Sequence, residues 1–128
     1  MTLVGLDVTH QTALARGVWE RIPLEADGAA KLVRAVMERT FAERGMSGFL
    51  LHDPLAVAVA LDPSLVAGKR RRVTVDVQDS QRGKTVVEAA GTGPMVATDV
   101  DALRFVTDLA TSLGLPAVHD LGGLDRAE

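Results

Sequence analysis

His52 and Asp53 stand side by side in a stretch that otherwise offers no ionisable group, running from Phe49 to Leu61. An imidazole, whose unperturbed pKa lies near neutrality, can give or take a proton at physiological pH. The neighbouring carboxylate is an acceptor for backbone N–H groups. From Pro54 to Leu61 there is no polar residue on any face, so a helix there is expected to be buried all round. Pro54 suits the first helical position, because its missing N–H would have no intrahelical partner. Asp53 then falls at the N-cap, facing free N–H groups and the positive end of the helix dipole. Capping alone would account for Asp53, and His52 would then be a satisfied boundary residue. Together, at the mouth of a buried helix, they also invite a chemical reading.

Thr9 and His10 form a second, weaker pair of candidates. They follow Leu3–Val8, a short apolar run broken by Gly5 that reads as a buried parallel strand. Ligands of open α/β sheets sit at the C-terminal edge of such strands. The plain alternative is a helix cap and a solvated imidazole. Gly45-Met46-Ser47-Gly48, just before His52, reads either as a loop able to move or as an ordinary turn. Lys69-Arg70-Arg71-Arg72 could mark a phosphate or nucleic-acid patch. Without interleaved aromatics, a solvated strand entrance is the better reading. Gly91-Thr92-Gly93-Pro94 lacks the Lys-Ser/Thr and spacing of a phosphate-binding loop.

These residues need elements to hold them. Ala13 to Arg21 has weak helical character, anchored by Trp19 and ended by Pro23. Glu25–Arg44 is the clearest helix: Ala29, Leu32, Val33, Val36, Met37 and Phe41 recur at steps of three and four, and Gly45 suits a left-handed C-terminal position. Val73, Val75 and Val77 alternate with polar residues as in a half-buried strand, and Lys84–Glu88 reads as its antiparallel partner. Arg72–Glu88 is thus a hairpin. Met95–Thr98 suits a further strand and Asp101–Leu113 the last helix, with Asp99 and Asp101 as caps rather than metal ligands. Residues 1–116 are expected to form one domain and 117–128 a frayed tail, within which His119-Asp120 repeats the dipeptide without the Pro or the apolar helix behind it.

Composition narrows the function. The 128 residues carry 47% apolar and 24% charged side chains, ordinary globular values. A net charge of −3 and 3% aromatics argue against a nucleic-acid surface, which needs basic excess and stacking platforms. With no cysteine, disulfides and thiolate metal sites are excluded. The apolar runs are too short to span a bilayer and the N-terminus has no signal pattern, so no membrane is expected and a cytoplasmic location is.

The run from His52 to Leu65 resembles the C-terminal signature of the nucleoside hydrolases, calcium-dependent enzymes that cleave the N-glycosidic bond of ribonucleosides. Gly5–His10 resembles a strand-and-turn upstream of it, Gly83–Val87 a downstream hairpin and Asp99–Phe105 the last helix, in the family's order. The resemblance implies an α/β fold, the C-terminal portion of an open α/β architecture with an antiparallel hairpin. It implies that His52 lies near the leaving base, where the corresponding His acts as the general acid in some members, and that Asp53 is one Ca²⁺ ligand. The family's opening Asp-Thr-Asp-Pro-Gly-x-Asp-Asp cluster, with its general base, and its Asn-rich ribose-binding segment have no match here. The chain therefore reads as less than half of such an enzyme. It is expected to be inactive alone, to bind Ca²⁺ weakly or not at all, and to act on a ribonucleoside only when completed by an N-terminal part. The alternatives are a non-catalytic folded remnant that self-associates, as a homo-oligomer, and a ribose-binding module using Thr9, His10, His52 and Asp53.

Overall fold

The computed structural model describes residues 1–88 and 91–119. The expected tail from Asp120 onward lies outside the described residues. A three-stranded sheet is ordered β1 (Thr2–Leu3), β7 (Met95–Val100), β4 (Val66–Arg70). β1 runs parallel to β7, pairing Thr2 with Met95 and Leu3 with Val96, whereas β4 runs antiparallel to it. Helices pack beside this sheet, so the fold is of the α/β class, as expected.

The parallel strand is shorter than Leu3–Val8. Pairing stops at Leu3, and α1 (Leu6–Thr9) takes the rest of the run. Gly5 is extended, and its carbonyl accepts the Val8 and Thr9 N–H groups, which closes a helical turn on the apolar residues. Ala13–Arg21 likewise divides, into β2 (Ala13–Ala15) and α2 (Arg16–Glu20). β2 pairs antiparallel with β3 (Gly48–Leu50), so the segment before His52 is a strand rather than a free loop beyond Ser47.

The long amphipathic helix begins three residues later than expected, as α3 (Gly28–Glu38), and continues into a wider π turn over Arg39–Glu43. Gly45 then takes a left-handed conformation at φ 68°, as the helix end requires. Ala30, Val33, Met37 and Phe41 turn inward, but Ala29, Leu32 and Val36 remain exposed, so the apolar stripe is broader than its cover. Trp19 ties α2 to α3: its indole N–H donates to the Arg34 carbonyl at 3.0 Å, and the Arg34 guanidinium lies 5.1 Å above the ring. That guanidinium also donates to the Ile22 carbonyl at 2.6 Å.

The apolar helix is α4 (His52–Leu61), and two expectations about it fail. Its N-cap is Leu51, not Asp53, because the Leu51 N–H is held by the Thr12 carbonyl and helical hydrogen bonding starts with Leu55 N–H to Leu51 C=O. Asp53 and Pro54 therefore lie inside the first turn. Nor is the helix buried all round: Leu55 and Val59 are buried, while Ala56, Val57, Ala60 and Leu61 are exposed, since α1 and the 3₁₀ turn Pro63–Leu65 lie against it without enclosing it.

β4, which sequence reading did not foresee, carries Lys69 and Arg70 in a strand bulged between Ala67 and Gly68. A Cβ at Gly68 would strike the Val96 carbonyl of β7, so this close approach needs glycine. The expected hairpin forms from β5 (Val73–Val75) and β6 (Thr85–Val87), with Val73 opposite Val87. Its alternating face is not half-buried as expected, because Val75 and Val77 are exposed. The last helix is α5 (Ala102–Ser112), and Asp101 caps it by accepting the Arg104 N–H at 3.1 Å. Phe105, Val106 and Ala110 of α5 join Phe41, Leu55, Val8 and Val118 in a continuous core.

Candidate functional site

The site is built where two distant segments are pinned together. The β2–β3 register sets Ala13 opposite Leu50, which brings Thr12 to Leu51. The Thr12 carbonyl accepts the Leu51 N–H at 3.2 Å, and the Thr12 hydroxyl donates to the Thr9 carbonyl at 2.9 Å. Thr12 is fully buried, so both bonds lie away from competing water. The last residue of α1 and the first of α4 are thereby held face to face.

Across this junction the Thr9 hydroxyl lies 2.7 Å from Nδ1 of His52. The same hydroxyl is 3.4 Å from the Leu6 carbonyl. Thr9 is 3% exposed and His52 is half-buried. His10, the residue after α1, is exposed, and its ring centroid is 5.5 Å from that of His52 at a tilt of 56°. Three of the four sequence candidates thus converge: Thr9, His10 and His52. The arrangement offers an anchored imidazole beside a solvated one, suited to giving a proton to a ligand placed over them.

Asp53 stands apart. It is exposed on the first turn of α4, and among the described residues no three His, Cys, Asp or Glu side chains gather as a metal-holding group. Calcium takes about six to eight oxygen ligands, and one solvated carboxylate does not fit that demand. A shallow apolar cleft between β1 and α4, lined by Thr2, Val4, Ala56, Val59 and Ala60, includes none of the candidate residues.

Thr12 was not singled out in the sequence. Its signal was the spacing Thr9-x-x-Thr12, at which a hydroxyl reaches back to a carbonyl three residues earlier.

The comparisons with known proteins agree with one another. The sequence model of a family described as inosine-uridine preferring nucleoside hydrolase matches residues 1–107. An inosine-uridine preferring nucleoside hydrolase of Crithidia fasciculata is 29% identical, over 91% of this chain and 41% of that protein. A pyrimidine-specific ribonucleoside hydrolase of Enterobacter sp. (strain 638) is 34% identical, over 88% of this chain and 40% of that one. Among solved structures, a purine-preferring ribonucleoside hydrolase from Gardnerella vaginalis superposes with a TM-score of 0.70 at 33% identity, covering 88% of this chain and 39% of that chain. The chain spans about two fifths of the length of the relatives it matches.

Proposed function

The chain belongs to the inosine-uridine preferring nucleoside hydrolase family, and from that premise we propose that it supplies the proton-donating side of a site that hydrolyses the N-glycosidic bond of ribonucleosides. The observation that carries this reading is the anchored His52, held at Nδ1 by Thr9 with His10 beside it, within the segment matched by the family. In the reaction a water oxygen bonds to C1′ of the ribose as the C1′–N bond breaks. Both bonding electrons leave with the base, and His52 gives the base a proton. The proton lost by the water goes to a carboxylate of the opening aspartate cluster that the resemblance supplies and this chain lacks.

The lone chain is therefore proposed to be inactive. Acid assistance contributes about 10²–10⁴-fold, whereas positioning of water and ribose can supply roughly 7–11 kcal/mol of the barrier. Asp53 would give one oxygen to a Ca²⁺ shell completed from elsewhere, and binding to this chain alone should be weak or absent. Purified chain incubated with inosine and uridine in excess Ca²⁺, with ribose release followed, should show no turnover. Mixing with an N-terminal segment of a relative should produce turnover that His52→Ala removes. Turnover by the lone chain, or a mixture indifferent to His52→Ala, would overturn the reading.

A second reading, a self-associating remnant without catalysis, draws on the apolar side chains left bare on α3 and α4, Leu32, Val36, Val57 and Leu61. Persistent inactivity of the mixture together with association of the lone chain would favour it.

A further inference from the structure

We propose that Thr9 is the positioning residue of His52, occupying Nδ1 so that Nε2 is the nitrogen that carries a proton to the ligand. The use of that proton rests on the reading of a proton donor given above; the hold of Thr9 on the ring does not. A neutral imidazole has one N–H and one bare nitrogen, and a hydroxyl can donate or accept. At 2.7 Å from Nδ1 the Thr9 hydroxyl makes a close hydrogen bond, against 3.4 Å to the Leu6 carbonyl. In the neutral ring the better pairing sends the hydroxyl proton to Nδ1, which leaves the ring hydrogen on Nε2. In the imidazolium, Nδ1–H donates to Oγ1 and the hydroxyl turns its proton towards Leu6.

When the imidazolium releases its Nε2 proton to a departing base, the N–H electron pair stays on Nε2. The ring this leaves is the Nδ1–H tautomer, with Nδ1–H still paired with Oγ1 and the hydroxyl with Leu6, so no buried group is orphaned during the transfer, and uptake of a solvent proton at Nε2 restores the imidazolium. Both sides of the contact are also fixed in the backbone, because Thr12 bonds the Thr9 carbonyl with its hydroxyl and the Leu51 N–H with its carbonyl. Thr9 is 3% exposed, so its hydroxyl serves His52 rather than touching substrate.

The test uses the full chain labelled with ¹⁵N, comparing wild type, Thr9→Val and Thr9→Ser by long-range correlation of the ring nitrogens. With only three histidines, the assignments are few. In alkaline buffer, which keeps every imidazole neutral, wild-type His52 should show an acceptor signature at Nδ1 and a protonated Nε2. Thr9→Val should move both nitrogens towards the averaged pattern of the exposed His10 and His119. Thr9→Ser should restore the wild-type pattern. In the mixture with an N-terminal segment, Thr9→Val should lower turnover about tenfold with KM little changed, a part of the ~10²–10⁴ that acid assistance provides. A His52 spectrum unmoved by Thr9→Val would overturn the proposal, and so would Thr9→Ser behaving as Thr9→Val while its backbone spectrum stays native. If the wild-type mixture shows no turnover, the proton-donor reading fails, and the ring nitrogens still decide whether Thr9 holds His52.

Discussion

Leu55 and Leu61 belong to one apolar run in α4 and end in opposite states. At the N-terminal end of the helix Leu55 is fully buried, and His52 is tied to Thr9 across a junction zipped by Thr12. On its outer face and at its far end Val57 is 61% and Leu61 83% exposed. The difference separates two kinds of completeness. Polar satisfaction around His52 is met within this chain, and among the described residues no buried side-chain nitrogen or oxygen lacks a partner. Apolar cover is not met.

The sharpest test of that contrast removes the same side chain at both ends. Leu55→Ala should cost about 2–5 kcal/mol, since it opens a cavity at a site with no solvent access, while Leu61→Ala should cost less than about 0.5 kcal/mol. Urea midpoints of the two variants check this. With the chain diluted below any association, equal losses would mean that the outer face is covered within the single chain, and the contrast would collapse.

Next in size is association. A bare apolar helix face beside the free edge of β1 is a template for another chain. Wild-type protein should sediment with concentration-dependent mass at micromolar levels. The double substitution Val57→Lys and Leu61→Glu should give a monomer with an unchanged urea midpoint at dilution. A wild-type chain that is monomeric throughout would show that these faces are tolerated in water.

How much of this was legible in the sequence follows from the range of each interaction. The amphipathic periods of α3 and α5 and the alternation along β5 were readable because each is set by neighbours within a few residues. The α1 turn was not, because a six-residue apolar run reads equally well as strand or helix until its hydrogen bonds are known. β4 was hidden by Gly68 and by cations that read as solvated surface. Burial of α4 was over-read, since an all-apolar surface states what a helix can bury and not what is there to cover it. Within the site, His52 is a candidate from its setting at the head of an apolar helix, whereas Thr9 and His10 are candidates from an expected Leu3–Val8 strand that in the structure ends at Leu3. Their meeting with His52, 43 residues away for Thr9, was not legible, because it depends on the β2–β3 register.

Asp53→Ala probes the same helix end more gently. An N-cap carboxylate would be worth about 1 kcal/mol. In the first turn, with Leu51 as the cap, Asp53 contributes only its interaction with the helix dipole, about 0.3–1 kcal/mol at low ionic strength. Raising salt to 0.5 M should therefore erase most of the difference between wild type and variant in thermal unfolding. A loss above about 1.5 kcal/mol that survives salt would restore Asp53 to a specific capping or ligating role.

The smallest effect belongs to the turn where α4 hands the chain to β4. Asp62 accepts the Ser64 N–H at 2.9 Å and the Ser64 hydroxyl at 2.7 Å, and it pairs with Arg104 of α5. The Ser64 hydrogen bonds, followed by the Arg104 guanidinium, hold its carboxyl below the ordinary value of 3.8. A carboxyl depressed in the folded state binds its proton more weakly there than in the unfolded chain. Its stabilisation is therefore present in full above 3.8 and is lost as pH falls below that value through the folded one. Asp62→Asn keeps the shape and removes the titration. The stability gap between wild type and Asp62→Asn should be constant from pH 7 to pH 5 and should narrow between pH 4 and pH 2, read as urea midpoints. Because the pair is exposed to solvent, the gap should be small and should shrink in salt. A gap that widens on acidification would mean that Asp62 is held protonated in the fold, and the link between α4 and α5 would need a different physical basis.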